Sequence, residues 1–286
     1  MKNLIPFRVL FFVSLSIGLI ACSDDDDDNP TNPIEPVPTG KSETYSLNEK
    51  AVPGISGTAK FIEYSDNSIT VELDLQNTPA DGQHPAHIHF NTAVEGGGVA
   101  LTLGTIDGTT GKSSINFSEL NDGTSISYDE LLDYDGHINV HLSSDDLSTI
   151  VAQGDIGQNA FTGNSKSYEL NEKAVPGISG TATFYERNNG EALAMIYLMN
   201  TPANGIHPAH IHDNDADTGG GIVFTFNPID GNTGTSNTNI SAKDDGSAFG
   251  YNDVLGFNGH INVHLSADDL GTIVAQGNIG SNYSSD

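Results

Sequence analysis

The sequence predicts an all-β protein built as two tandem Greek-key sandwiches or flattened barrels. Three observations lead there. The first is an internal repeat. Leu47 to Ala59 returns unchanged as Leu170 to Ala182, His84-Pro85-Ala86-His87-Ile88-His89 returns as His207 to His212, and Gly136 to Leu142 returns as Gly259 to Leu265, each 123 residues later. A constant offset means two equal copies, and a unit of that length is an ordinary domain size. The second is period-two patterning. Ser68 to Leu75 alternates polar and apolar residues strictly, as a half-buried strand does, and Gly98 to Leu103 and Ser113 to Ser118 are shorter candidates. The third is punctuation. The chain has 32 Gly and 12 Pro, and turn pairs such as Asp107-Gly108, Asp122-Gly123 and Asp230-Gly231 divide the strands. Helical periodicity is limited to one turn, at Tyr128 to Asp133.

In chain order, residues 1–21 read as a secretory signal. Lys2 and Arg8 form its positive end, and Leu10 to Ala21 is an apolar run too short to span a bilayer. It ends Leu19-Ile20-Ala21-Cys22. That resembles the bacterial lipobox, in which the cysteine is lipidated, and Cys22 is the only cysteine of the chain. An ordinary cleaved signal is the alternative. Residues 22–40 read as a tether. Asp24 to Asp28 repel one another and cannot pack, and Pro30, Pro33, Pro36 and Pro38 keep the next stretch extended. The acidic run also resembles the surface-export signal of some Gram-negative lipoproteins; a plain solvated tether explains it equally well. The two copies follow at 41–163 and 164–286.

Composition removes several functions. Ten basic residues against 38 acidic ones give a net charge of −28, so condensation onto phosphate backbones is excluded and no nucleic-acid partner is expected. One cysteine permits neither an internal disulfide nor a thiolate zinc site.

The chemistry concentrates in histidine. All ten His fall into two quintets: His84, His87, His89, His137 and His141, then His207, His210, His212, His260 and His264. On a strand, residues two apart share a face. His87 and His89 therefore point one way, and Ala86, Ile88 and Phe90 the other. His137, Asn139 and His141 share one face, opposite Ile138, Val140 and Leu142. If the apolar faces form the core, the imidazoles lie on the outer face, where neighbouring strands bring them together. Two imidazoles from one strand and a third from its neighbour suit one copper or zinc ion, and binding would weaken below about pH 6.5, where imidazole protonates. The competing explanation is a polar cluster hydrogen-bonded through Asn139 and water.

At this point the residues resemble known families. His84-x-x-His87-x-His89 looks like the Cu/Zn superoxide dismutase strand that gives two copper ligands after a non-ligating histidine. The resemblance implies that His87 and His89 bind copper and that His84 is structural. Val263-His264 and the segment through Gly280 look like that enzyme's last copper-ligand strand, which makes His264, and His141 in the first copy, the third ligand. The layout is still closer to the CHRD (chordin-type) domain, with its Ala-His-Ile-His motif and a late Val-Asn-Val-His strand, and the likeness covers both copies. By repetition the second set is His210, His212 and His264. His137 and His260 are additional candidates from strand geometry alone, while His84 and His207 are metal or structural residues. The chain departs from the enzyme in three ways. No His lies between His89 and His137, no disulfide is available, and Arg187 is the only Arg after Arg8. Zinc-dependent dismutation is therefore disfavoured.

Other motifs are weaker. Asp213-x-Asp215-x-Asp217 resembles the start of a calcium loop, but Phe224 stands where an EF-hand needs Glu. Gly96 to Gly98 and Gly219 to Gly221 precede strands, which fits a tight turn better than a phosphate cradle. The expectation is an outer-membrane lipoprotein in the cell envelope, displayed at the surface in one reading. It would be held to the membrane through Cys22, with an unidentified extracellular or periplasmic partner. Its two CHRD-like domains would form a binding module with a copper-type site in each, copper ahead of zinc. A copper-only dismutase-like enzyme and a metal-free adhesion module are the alternatives.

Overall fold

The computed structural model describes residues 35–284. The signal 1–21, Cys22 and the acidic run Asp24 to Asp28 lie outside the described residues. The first repeat forms β1 (Pro38–Glu49), β2 (Ser56–Tyr64), β3 (Ile69–Gln76), β4 (Gln83–Phe90), β5 (Val99–Asp107), β6 (Lys112–Phe117), α1 (Tyr128–Leu132), β7 (Asp135–Ser143) and β8 (Asp146–Gly157). These strands close into a barrel in the order β1-β2-β3-β6-β5-β4-β7-β8. The β3–β6 and β4–β7 pairings are antiparallel and join strands that are not consecutive, the crossovers of a Greek key. The single predicted helical turn is α1. Ser127 caps it by accepting from the Glu130 N–H, while the Glu130 carboxylate accepts from the Ser127 N–H at 2.8 Å.

The period-two pattern fixes the faces. Ile69, Val71, Leu73 and Leu75 are buried and alternate with Thr70, Glu72 and Asp74. On β4 and β7, Ala86, Ile88, Ile138 and Val140 are wholly buried in the core. Burying one such aliphatic side chain is worth about 1.5–3 kcal/mol, so slipping either strand by one residue would cost several of these at once. The imidazoles are thereby held on the opposite face.

β1 begins at Pro38, inside the segment expected to be tether. Pro38 pairs with Tyr64, and a register shift before Ser42 accommodates Gly40 at φ +97°. A proline at a strand start needs no ladder N–H, which is why the Pro-rich composition concealed it.

The second repeat forms β9 (Phe161–Glu172), β10 (Ser179–Arg187), β11 (Ala192–Met199), β12 (Ile206–His207), β13 (Ala209–Asp213), β14 (Ile222–Thr225), β15 (Ile229–Asp230), β16 (Thr235–Ile240), α2 (Tyr251–Gly256), β17 (Asn258–Ser266) and β18 (Asp269–Gly280). It makes a curled sheet in the order β12-β15-β16-β11-β10-β9-β18-β17-β13-β14. Here β12 and β13 are two halves of the strand equivalent to β4, and β15 and β14 two halves of the equivalent of β5. The cause is Pro228. In the first repeat Pro85 faces Thr105, whereas the same positions in the second repeat are Pro208 and Pro228. With no N–H on either side the ladder breaks there.

Only a short turn separates β8 from β9, and Arg187, at the end of β10, is buried across that junction. Its Nη1 donates to Asp155 Oδ2 at 2.8 Å and to the Asn159 carbonyl, and its Nε donates to Asn239 Oδ1 at 2.8 Å. The guanidinium also lies 4.9 Å from the centre of the Phe161 ring. Asn188 and Asn189 donate backbone N–H bonds to the Ala160 and Gln158 carbonyls. The second repeat thus grips the turn that ends the first.

Candidate metal centre

β4 and β7 lie side by side, with His87 opposite Asn139 and His89 opposite His137. The register then shifts between Val140 and His141. The extra residue is Val151 on β8, so β7 keeps its alternation and His141 stays on the face of the pair on β4. The ring centres of His87 and His141 are 5.1 Å apart, those of His87 and His89 5.9 Å, and those of His89 and His141 6.1 Å. The second repeat reproduces this arrangement, with 5.1, 5.9 and 6.3 Å among His210, His212 and His264. In each triad one ligand atom per ring lies within 4.8 Å of the others. An ion bound at 2.0–2.1 Å would draw three nitrogens to about 3.3 Å, a closure that small ring rotations accomplish.

The hydrogen bonds select the ligand atoms. His89 Nδ1 lies 2.9 Å from the Gly97 carbonyl, and His264 Nδ1 lies 2.7 Å from the Leu270 carbonyl. A carbonyl only accepts, so these Nδ1 atoms carry the proton and leave Nε2 with a free lone pair. Nε2 of His89, His212 and His264, both ring nitrogens of His141, and Nδ1 of His87 and His210 are buried with no hydrogen-bond partner among the described residues, as is Nε2 of His84 and His207 outside the triads. Buried polar atoms without partners are costly, and in the triads they converge. The competing polar cluster would have used Asn139, but Asn139 Oδ1 accepts from Gln153 Nε2 at 2.7 Å, and Asn262 does the same with Gln276.

Comparison with protein families, curated proteins and solved structures finds no match to the chain. The centre therefore rests on its own geometry.

The remaining histidines have other work. His137 stacks on His89, ring centres 5.2 Å apart, and its Nδ1 donates to the Asn91 carbonyl at 2.9 Å. His260 repeats this against Asn214 at 2.8 Å. Neither belongs to the converging triads, so the additional ligand inferred from strand geometry is not gathered with them. Sharing a face with His141 was insufficient, because the two stand at positions 137 and 141 of β7, about 13 Å apart along the strand. His84 Nδ1 reaches the His141 carbonyl at 3.2 Å, and His207 reaches that of His264 at the same distance. Both sit on the core side and brace the backbone of the third ligand. The acidic trio behaves differently from a cation loop. Asp215 Oδ1 accepts from the Asp217 and Thr218 N–H groups, closing a turn, and the only ligand groups converging among the described residues are the two imidazole triads.

The alternation predicted His87, His89, His137 and His141 on the face opposite Ala86, Ile88, Ile138 and Val140, and those four core residues are wholly buried. It missed that loops cover the imidazoles. Residues 91–98 fold over the first triad: the Asn91 and Gly97 carbonyls accept from His137 and His89, and Ala93 N–H donates to Asp155 Oδ1 at 2.7 Å. Backbone carbonyls have no residue-specific signature; the Gly96 to Gly98 run was the available hint. A Cβ at Gly97 would lie 2.2 Å from the Phe90 carbonyl oxygen. Gly97→Ala is therefore expected to lift this loop, release His89 and weaken metal binding in the first repeat alone by about tenfold, the scale of losing an outer partner. Competition titration of the two sites checks it.

Burial also sets protonation. Desolvation holds His87, His137, His141, His210, His212 and His264 below their ordinary pKa of 6.5, and neighbouring imidazoles push His87 and His210 the same way. They are neutral at pH 7 and need lose no proton to ligate. Because the unfolded chain takes up protons first, metal-free stability is full above about pH 6.5 and falls as pH drops below it. Denaturant midpoints from pH 7.5 to 5 should show that decline (about 7.5 and 5 being the useful bounds for histidine), and a flat profile would contradict the burial argument.

Proposed function

We propose that this chain is an envelope-anchored binding module whose two CHRD-like repeats each hold one copper-type ion on three imidazoles. In the first repeat the ligands are His87 Nδ1, His89 Nε2 and His141 Nε2; in the second they are the same atoms of His210, His212 and His264. One observation carries the reading: in both repeats three imidazoles, each with a buried partnerless ring nitrogen, bring one ligand atom apiece within 4.8 Å of the others. Three neutral nitrogen donors suit copper or zinc, and copper has the greater affinity for such a set. A bound copper ion would supply an acceptor centre with an open coordination position. The protein's own part is to hold the imidazoles in place, fixing the tautomer of His89 through the Gly97 carbonyl and those of His212 and His264 through the Gly220 and Leu270 carbonyls.

The sequence resemblance to CHRD domains and the lipobox-like end at Cys22 support the placement in the envelope. The dismutase alternative draws less support. Arg187, the one arginine among the described residues, is wholly buried against Asp155 and is not available to guide an anion. A net charge of −28 also opposes the approach of superoxide. The test is spectroscopic. The copper-loaded protein should give an EPR signal with nitrogen hyperfine coupling from imidazole and no dismutation above that of free buffer copper. Rapid dismutation would replace the carrier reading with the enzyme, and a signal without nitrogen coupling would remove both.

A further inference from the structure

The two triads are built alike but set in different charge. His87 pairs across the sheet with Thr102, and His210 with Thr225. Beside Thr102 stands Asn121. Its Oδ1 accepts from the Thr102 N–H at 3.1 Å, and its Nδ2 donates to Thr102 Oγ1 at 3.2 Å. Beside Thr225 stands Asp244, which accepts from the N–H at 3.0 Å and from Oγ1 at 2.7 Å. The scaffold is the same, and one amide has become a carboxylate. A second exchange adjoins a ligand: Phe90 follows His89, but Asp213 follows His212.

Both carboxylates bear on ligating rings. Asp244 acts on His210 and Asp213 on His212, each favouring positive charge there. The charges acting on His87 and His141 are those of other imidazoles. The acids of the first repeat, Asp155 and Asp135, bear on His137, which is outside the triad. Asp155 is moreover paired with Arg187 at 2.8 Å.

We infer that the two centres are unequal: the second repeat binds a divalent ion more tightly and fills first, and Asp244 and Asp213 set the difference. This rests on the metal-binding reading above. Charge attraction to a divalent ion is long-ranged, so neither acid needs to touch it. Asp244 is exposed, so water and salt moderate its share. The expected gap between sites is about tenfold at low ionic strength and narrows as salt screens it. The same acids favour Cu(II) over Cu(I), so the second centre has the lower reduction potential.

The test uses the full chain in mild detergent, stripped of metal and titrated with Cu(II) against a competing chelator. His87→Ala and His210→Ala identify which site each equivalent occupies, read by EPR. The first equivalent should survive His87→Ala and disappear in His210→Ala. Asp244→Asn should bring the second site toward the first. The converse change, Asn121→Asp, should tighten the first site, and it guards against a variant that merely folds badly. Raising the salt should narrow the gap. Two sites of equal affinity, or an order of filling unmoved by both exchanges, would overturn the inference while leaving the metal reading intact. Absence of bound copper in every folded sample would overturn both.

Discussion

Arg187→Ala is expected to destabilise the protein by about 3–5 kcal/mol, the cost of leaving one member of a buried ion pair without the other. The Arg187 side chain has no exposure and that of Asp155 has 6%. Removing the guanidinium takes three hydrogen-bond partners from Asp155, Asn159 and Asn239 at once and uncovers the Phe161 ring. The effect should reach beyond the junction, because Asp155 also accepts from Ala93 in the loop over the first triad. The double variant Arg187→Ala, Asp155→Asn should recover part of the loss, since no bare charge then remains. Lys112→Ala is the natural control. Lys112 and Asp74 are 2.7 Å apart, yet more than half of each side chain is exposed, so removing that pair should cost no more than about 1 kcal/mol. Denaturant unfolding of the three variants decides the matter. A loss of about 1 kcal/mol or less for Arg187→Ala would place it with the exposed pairs and contradict its role as a clasp.

His87→Ala is expected to lower copper affinity in the first repeat by more than about 100-fold, beyond the usual effect of an outer partner, with the second repeat unchanged. Its effect on the metal-free fold should be small, because His87 Nδ1 has no hydrogen bond to lose. His84→Ala should do the reverse. It removes the bond to the His141 carbonyl in a buried position, a loss of about 1–3 kcal/mol in metal-free stability, and affects copper only through the displaced His141 backbone. This crossed pattern separates a ligand from a brace. Equal effects of the two variants on stability, with equal effects on copper, would show that the quintet serves the fold as one unit.

Much of the fold could be read from the chain because its signals were local. Alternation at Ser68 to Leu75 gave a strand that the structure places at Ile69 to Gln76, and the 123-residue offset gave two repeats. The same alternation put the imidazoles of β4 and β7 on one face and Ala86, Ile88, Ile138 and Val140 on the other. What escaped was non-local. The pairing of β4 with β7 sets His137 beside His89 yet gathers only His141 with His87 and His89, and nothing in Gly136 to Leu142 announces that choice. The carbonyls of Gly97, in a loop, and Leu270, at the start of β18, fix the tautomers of His89 and His264, and a backbone carbonyl leaves no mark in residue type. In the sequence Arg187 stands out only as the one arginine after Arg8. Its partners, Asp155 and Asn159, lie in the other repeat, so no spacing rule connects them. The opening at Pro228 was legible in principle, but only once Pro208 was known to face it.

The most direct test of the account is copper bound per folded chain, measured on the full-length protein after loading and desalting, beside His87→Ala, His210→Ala and their double variant. Two independent triads predict about two ions in the wild type, about one in each single variant and none in the double, since each site needs all three imidazoles. Copper content near zero in a folded wild type, or content unchanged in the double variant, would contradict the assignment of these imidazoles as metal ligands.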